Sequence, residues 1–346
     1  LSDWSSDVCS SDLEAFGAYR GQEYSLNKNY TLPSAEFNTN YKITKSASLY
    51  FNYDYNVNFA QARQLLPIED ISSPLITYKG NENLAPNKYH SFYMGMHNFD
   101  FPTRTGYGIY AGGSFRESEI TPYTTILDDG SQYVTYTNVS GTAETWFGGN
   151  WTKSIKKETS KMRISLGLNN GINFSKGFTN GQLYKASAFY VSPRVNFSYD
   201  YGELLTINPT YNFTYNETRY TNYSIDHASN FTHKFNLQTT SYWPKHVVFG
   251  NDLGYTYNSN LSGGFRKDFF LWNTSLGYNF LKDRLLFKVK VYDLLNQNLG
   301  TSRDISQSTI TDTQNIVLKR YVMFSLTFKL QKFGGKESKE GGFWFF

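Results

Sequence analysis

No run of about 18 apolar residues occurs in the 346-residue chain, which excludes a membrane-spanning helix. Cysteine is nearly missing: Cys9 stands alone, so no internal disulfide can form. An excess of charge is missing too. With 33 basic against 29 acidic residues the net charge is +4, without a clustered basic stripe, which argues against a nucleic-acid partner. His90, His97, His227, His233 and His246 fall on different segments without metal-ligand spacing. There is no Gly-x-Ser-x-Gly elbow and no phosphate-binding loop, and Asp128-Asp129-Gly130 reads as a turn. These absences lead us to expect no enzyme, no catalytic residue, no metal and no cofactor.

Aromatic residues are abundant, at 18% with 29 Tyr and 28 Phe, yet the mean hydropathy is only −0.52. The two facts meet in a period-two pattern. Leu49, Phe51, Tyr53, Tyr55, Val57 and Phe59 alternate with Asn52, Asp54, Asn56 and Asn58. Leu205, Ile207, Pro209, Tyr211, Phe213 and Tyr215 interleave in the same way with Thr206, Asn208, Thr210, Asn212, Thr214 and Asn216. Successive side chains of a strand point to opposite faces, so each segment has one apolar and one polar face. Soluble strands run about 5–6 residues, whereas a tilted bilayer crossing takes about 9–11. The expected fold is all-β: a transmembrane, antiparallel, up-and-down β-barrel in a bacterial outer membrane. A soluble sandwich or propeller fits the long strands and one-sided tight turns less well.

Strands are expected at about 30–41, 47–59, 88–100, 106–118, 132–154, 161–177, 183–200, 204–220, 229–243, 246–261, 268–280, 284–295 and 315–332. Tight turns such as Thr44-Lys45-Ser46, Pro102-Thr103-Arg104 and Lys282-Asp283 alternate with mostly longer connections at 60–87, 119–131, 177–183, 221–228, 262–267 and 296–314. Counting back from a final strand that ends in the periplasm places every short turn there. Met162, Ile164, Leu166, Leu168, Ile172 and Phe174 are expected to meet lipid, with Arg163, Ser165, Asn169 and Asn173 in the lumen. Leu285, Phe287, Val289 and Val291 face out, and Lys288 and Lys290 face in. With Asp54, Asp200, Arg163 and Arg194, these two lysines would set the lumen electrostatics within a hydrated wall. Tyr199, Tyr201, Trp243, Tyr257, Trp272 and Phe280 suit the interfacial girdles.

Thirteen strands is odd for a single-chain bacterial barrel, so the barrel is expected to be incomplete, with strands lost upstream. Strand 30–41 would then show a bare edge, 315–332 would lack its partner, and the sheet would stay open or close artificially. Residues 3–13, DWSSDVCSSDL, resemble one reading frame of a sequencing-library adapter. We therefore divide the chain into a non-native segment 1–13, an extracellular loop or partial strand 14–29, barrel 30–332 and a periplasmic tail 333–346.

Three motifs carry a resemblance. Lys79-Gly80-Asn81-Glu82-Asn83-Leu84-Ala85-Pro86 resembles a Gly-Asn-Pro-Asn-Leu-Lys-Pro-Glu segment of TonB-dependent outer-membrane receptors, with Glu82 and Asn87 departing from it. Val291-Tyr292-Asp293-Leu294-Leu295-Asn296-Gln297-Asn298 resembles the penultimate-strand ending of Bacteroidota-type barrels in that superfamily. Arg320 to Leu330, then Lys332-Phe333-Gly334-Gly335, is similar to their last strand. The resemblance implies the C-terminal part of a larger barrel, about 13 strands of roughly 22, whose plug lies upstream. It implies uptake of a scarce nutrient driven by the TonB complex through that missing plug. It further implies outer-membrane lipid and the barrel-assembly machinery as partners, and leaves room for a surface lipoprotein. The alternative is a plug-less structural, adhesive or passive-pore barrel. Gly80, Asn81, Asn83, Leu84 and Pro86 read as loop-shaping, and Asp293, Leu294 and Asn296 as strand-ending. Phe324, Leu326, Phe328 and Leu330 read as lipid-facing. Arg63, Glu69, Asp70 and Lys79 in the 60–87 loop are the first candidates for ligand contacts.

Overall fold

The computed structural model describes residues 2–19, 22–261, 264, 266–298, 300–305, 310–315, 318–329, 332–333 and 336–337. In chain order the elements are β1 (Ser2–Tyr19), β2 (Gln22–Lys42), β3 (Ala47–Asn58), α1 (Ala62–Leu65), β4 (Glu69–Ser73), β5 (Ile76–Lys79), β6 (Asn87–Asp100) and β7 (Thr105–Ile126). Then come β8 (Gln132–Val139), β9 (Thr142–Lys156), β10 (Ser160–Thr179), β11 (Gln182–Tyr201), β12 (Leu205–Thr221) and β13 (His227–Ser241). The last are β14 (Val247–Asn258), β15 (Asp268–Phe280), β16 (Leu285–Tyr292), β17 (Gly300–Ile305), β18 (Ile310–Asn315), β19 (Tyr321–Phe328) and the two-residue pair β20 (Lys332–Phe333) and β21 (Lys336–Glu337). Seventeen strands form one sheet, with β17 and β18 pairing separately. Setting aside β4, β5 and β8, which join from the connections, leaves an antiparallel meander of fourteen: β1, β2, β3, β6, β7, β9 to β16 and β19. The sheet is open, as expected, with β19 paired on its β16 side.

Residues 14–29, expected as an extracellular loop or partial strand, are strand apart from 20 and 21: they lie in β1 and β2, which pair from Tyr19↔Gln22 onward. Two other expectations need correction. Strand 30–41 is no bare edge, since β2 is hydrogen-bonded to β3 on one side and to β1 on the other, where 30–39 meet Ser2–Ser11 of the segment set apart above as non-native; counting β1 makes the strand number even. The segment 132–154 is two strands. Gly141 turns the chain with a φ of +67°, and its N–H donates to Arg116 O at 3.0 Å. β7 then pairs with β9 up to Arg116 and with β8 beyond Glu119. Of the expected tail 333–346, only 333, 336 and 337 are described, and the rest lies outside the described residues.

Register turns the alternation of single strands into faces. Tyr107, Trp151, Leu166, Val195, Tyr211, Phe235, Tyr255 and Phe270 lie side by side across eight strands. One step along, Gly167, Arg194, Asn212, Lys234 and Thr256 make a polar row on the other face. The apolar row is uncovered: Leu166 is 45% exposed and Phe270 48%. An apolar surface this wide is foreign to a water-soluble monomer and natural against hydrocarbon. Buried apolar clusters are small: Ala60, Leu65 and Leu84 pack with Leu26, Ile120 and Tyr136, and Ala186, Tyr220 and Ala228 pack with Tyr223.

Candidate functional site

Between the longer connections, the polar face of β3 to β9 carries a cavity of about 520 Å³. Asn52, Asp54, Tyr89, Tyr93, Arg116 and Trp146 are among its walls. Arg116 sits between two carboxylates, with Nη2 3.1 Å from Glu144 and Nε 3.6 Å from Glu119. The Ser114 hydroxyl donates to Glu144 at 3.1 Å, and the buried Thr142 hydroxyl donates to Glu119 at 2.6 Å. The lining thus holds one guanidinium against three carboxylates, counting Asp54, and the cavity favours neutral or cationic groups over anions.

Aromatic rings pave this wall. Tyr50 and Tyr93 have centroids 5.3 Å apart, Tyr93 and Trp146 5.2 Å, and Trp146 and Tyr110 6.0 Å. They lie flat because the neighbouring strand offers glycine: a Cβ on Gly95 would overlap the Tyr50 ring, and one on Gly112 the Trp146 ring. Glycine inside a strand weakens it unless something packs on the bare backbone, and here an aromatic does.

A second cavity of about 330 Å³ adjoins the first, sharing Glu144 and Trp146, and adds Asn173, Tyr190, Asn216 and Arg303. Arg303 comes from β17, so the β17–β18 pair lies inward beside the wall. The Arg303 side chain is fixed by a two-pronged pair with Asp312 on β18, both contacts 2.6 Å, with the side chains 13% and 7% exposed. Stacking faces beside amide and carboxylate acceptors suit a polar ligand with an apolar side.

Glu69, Asp70 and Lys79 lie on one exposed hairpin, β4–β5, with Arg63 beside it on α1, and the four loop candidates pair with each other. Arg63 meets Asp70 at 2.9 Å and Lys79 meets Glu69 at 3.3 Å, while the Arg63 guanidinium lies 4.4 Å over the Tyr78 ring. Hydrogen bonds from Ser72, followed by the Arg63 charge, hold the Asp70 carboxyl below its usual range. The hairpin joins the next connection through a parallel ladder, Ile76↔Gln132 to Tyr78↔Val134.

The motif after the hairpin extends this docking. A Cβ on Gly80 would overlap the Leu66 carbonyl oxygen, so only glycine fits. Asn81 donates from its backbone to Gln64 O at 2.6 Å and from its side chain to Tyr136 O at 2.8 Å. Asn83 contributes its backbone N–H, bonded to Asn81 Oδ1 at 3.0 Å, while its side chain is exposed. Leu84 and Pro86 are buried. At the other motif, Asp293 is 1% exposed and accepts the N–H groups of Gln297 (2.9 Å) and Asn298 (3.1 Å). Leu294 N–H donates to Trp272 O, tying the start of this connection to the wall, and Asn296 Oδ1 accepts from Arg320 N, tying its two ends together. Phe324, Leu326 and Phe328 are 68%, 68% and 56% exposed on the outer face, and Leu330 lies outside the described residues.

Arg116, Glu119, Glu144, Trp146 and the Arg303–Asp312 pair did not emerge from the sequence. Their inward parity was readable strand by strand, but their meeting depends on cross-strand register.

The outer membrane protein beta-barrel family matches this chain over residues 14–199 and 186–328. No curated protein matches. Among solved structures, the ferric-catecholate import receptor Fiu from E. coli K12, in its open form, aligns over 86% of this chain at 8% identity and a TM-score of 0.36. The chain spans 63% of that receptor's length. A Pseudomonas aeruginosa FadL homologue aligns over 94% of this chain and 88% of its own, at 8% identity and a TM-score of 0.29. Likeness at that level carries nothing about ligand. With its long lipid-ready strands and a family match over most of its length, the chain belongs to the outer membrane protein beta-barrel family and resides in the bacterial outer membrane.

Proposed function

We propose that this chain is the C-terminal barrel part of a Bacteroidota-type, TonB-dependent receptor that takes up a scarce nutrient. The carrying observation is the Gly80–Pro86 motif, whose backbone and buried Leu84 fasten the longest early connection onto its neighbour beside the lumen cavity. Such bracing holds a mouth in one shape, as a receptor surface requires and a passive pore does not. Ligand contact then falls to the lumen wall around Trp146 and Glu144, since Arg63 on α1 and Glu69, Asp70 and Lys79 on the hairpin satisfy one another. Energy coupling would come from a plug and a TonB-contact segment encoded upstream. The test is capture of the purified periplasmic domain of TonB by the full-length gene product. Saturable binding is expected; none, with the barrel properly inserted, overturns the reading in favour of a plug-less pore.

A further inference from the structure

Three successive short turns, β2–β3, β6–β7 and β9–β10, lie side by side along one arc of the wall. They are tied together: Phe99 N–H donates to Ser46 O at 3.1 Å, and Ser154 N–H to Arg104 O at 3.0 Å. Lys45, Arg104, Lys156, Lys157 and Lys161 are exposed on this arc, and Lys42 ends β2 beside it. The acids within reach are Asp100, Glu158 and Asp200, the last directly across from Lys161 in register; Asp100 already accepts a hydrogen bond from the Thr103 hydroxyl and Asp200 one from the Thr206 hydroxyl. Among the described residues no ion pair involves any of these basic groups. The opposite ends of the same strands have the reverse balance: connections 59–86 and 127–141 carry Arg63 and Lys79 against Glu69, Asp70, Glu82, Asp128 and Asp129.

A second observation says what covers the arc. Tyr41, Ile43, Phe99 and Phe101 are 66%, 47%, 40% and 77% exposed next to these turns. Phe99 and Phe101 meet edge to face with centroids 4.9 Å apart. Exposed aromatics beside unpaired Lys and Arg at the end of a lipid-facing strand match the chemistry of a headgroup layer: rings at the boundary, cations at phosphate height. An acidic protein partner would explain the cations and leave the apolar fringe without a role.

We infer that this arc binds the phosphate headgroups of anionic phospholipids in the periplasmic leaflet, anchoring one side of the barrel. The full chain in neutral phosphocholine micelles is offered equal amounts of phosphatidylglycerol and phosphatidylcholine, and retained lipids are counted by native mass spectrometry. Phosphatidylglycerol is expected to be retained several-fold over phosphatidylcholine, less so as salt rises. The variant Lys45→Gln/Arg104→Gln/Lys156→Gln/Lys157→Gln is expected to retain both equally. Glu158→Gln, which removes a local acid, moves the preference the other way and guards against a misfolded quadruple variant. Equal retention by the parent chain, or an undiminished preference in the quadruple variant with Glu158→Gln unchanged, overturns the inference. So does poly-glutamate displacing phosphatidylglycerol at equal charge, which would make the occupant an acidic polypeptide.

Discussion

Leu166→Arg is expected to destabilise the inserted protein by about 2–4 kcal/mol, measured by guanidinium unfolding in vesicles. Leu166 lies mid-strand in β10, between Trp151 and Val195 on the uncovered apolar row, where a guanidinium would be held in hydrocarbon. Gln238→Arg is the matched control. Gln238 is exposed on the polar face, one step along β13 from the pair Leu237↔Leu253 on the apolar face, and water there solvates the charge. Its expected effect is within about 0.5 kcal/mol. The contrast matters more than either value, because a soluble sandwich with its apolar face packed inside would be hurt by Leu166→Arg whether or not lipid were present.

Asp293→Ala is expected to be the most damaging change outside the wall. Asp293 is buried with a φ of +48°, a conformation that Asp and Asn tolerate better than Ala does. Its carboxylate is the acceptor for two backbone N–H groups, and its own N–H donates to Asn273 Oδ1 at 2.9 Å. Alanine strands both donors in a buried turn, at about 1–3 kcal/mol each. Asp293→Asn keeps the backbone conformation and one acceptor, so it should cost less than half as much. The readout is limited proteolysis: cleavage within 293–320 should speed up strongly in Asp293→Ala and modestly in Asp293→Asn, with the wall strands still protected.

How far these features could be read from the sequence depends on their range. β10 was legible because alternation from Met162 to Phe174 needs no partner to declare its faces. The end of β16 was overrun by three residues, since 284–295 was expected and the strand stops at Tyr292, where Asp293 turns left-handed. The break at Gly141 was available as a Ser-Gly turn signal, but the apolar pattern on both sides hid it. Register is a property of pairs, and what rests on it stayed hidden. Nothing in the chain order says that Arg116 reaches Glu144, that Trp146 lies on the bare backbone of Gly112, or that Arg303 returns to the wall near Tyr190. The pairing of the loop charges was hidden for a related reason: Arg63, Glu69, Asp70 and Lys79 look free along the chain, and folding of α1 against the β4–β5 hairpin sets each beside its opposite.

The direct test of the two-faced wall is a single-cysteine scan of β10 from 163 to 168, made in the full-length product freed of any other cysteine and inserted in vesicles. A water-soluble maleimide should label positions 163, 165 and 167, and a lipid-soluble probe 164, 166 and 168, alternating without a break. Uniform labelling of all six positions from water would contradict it.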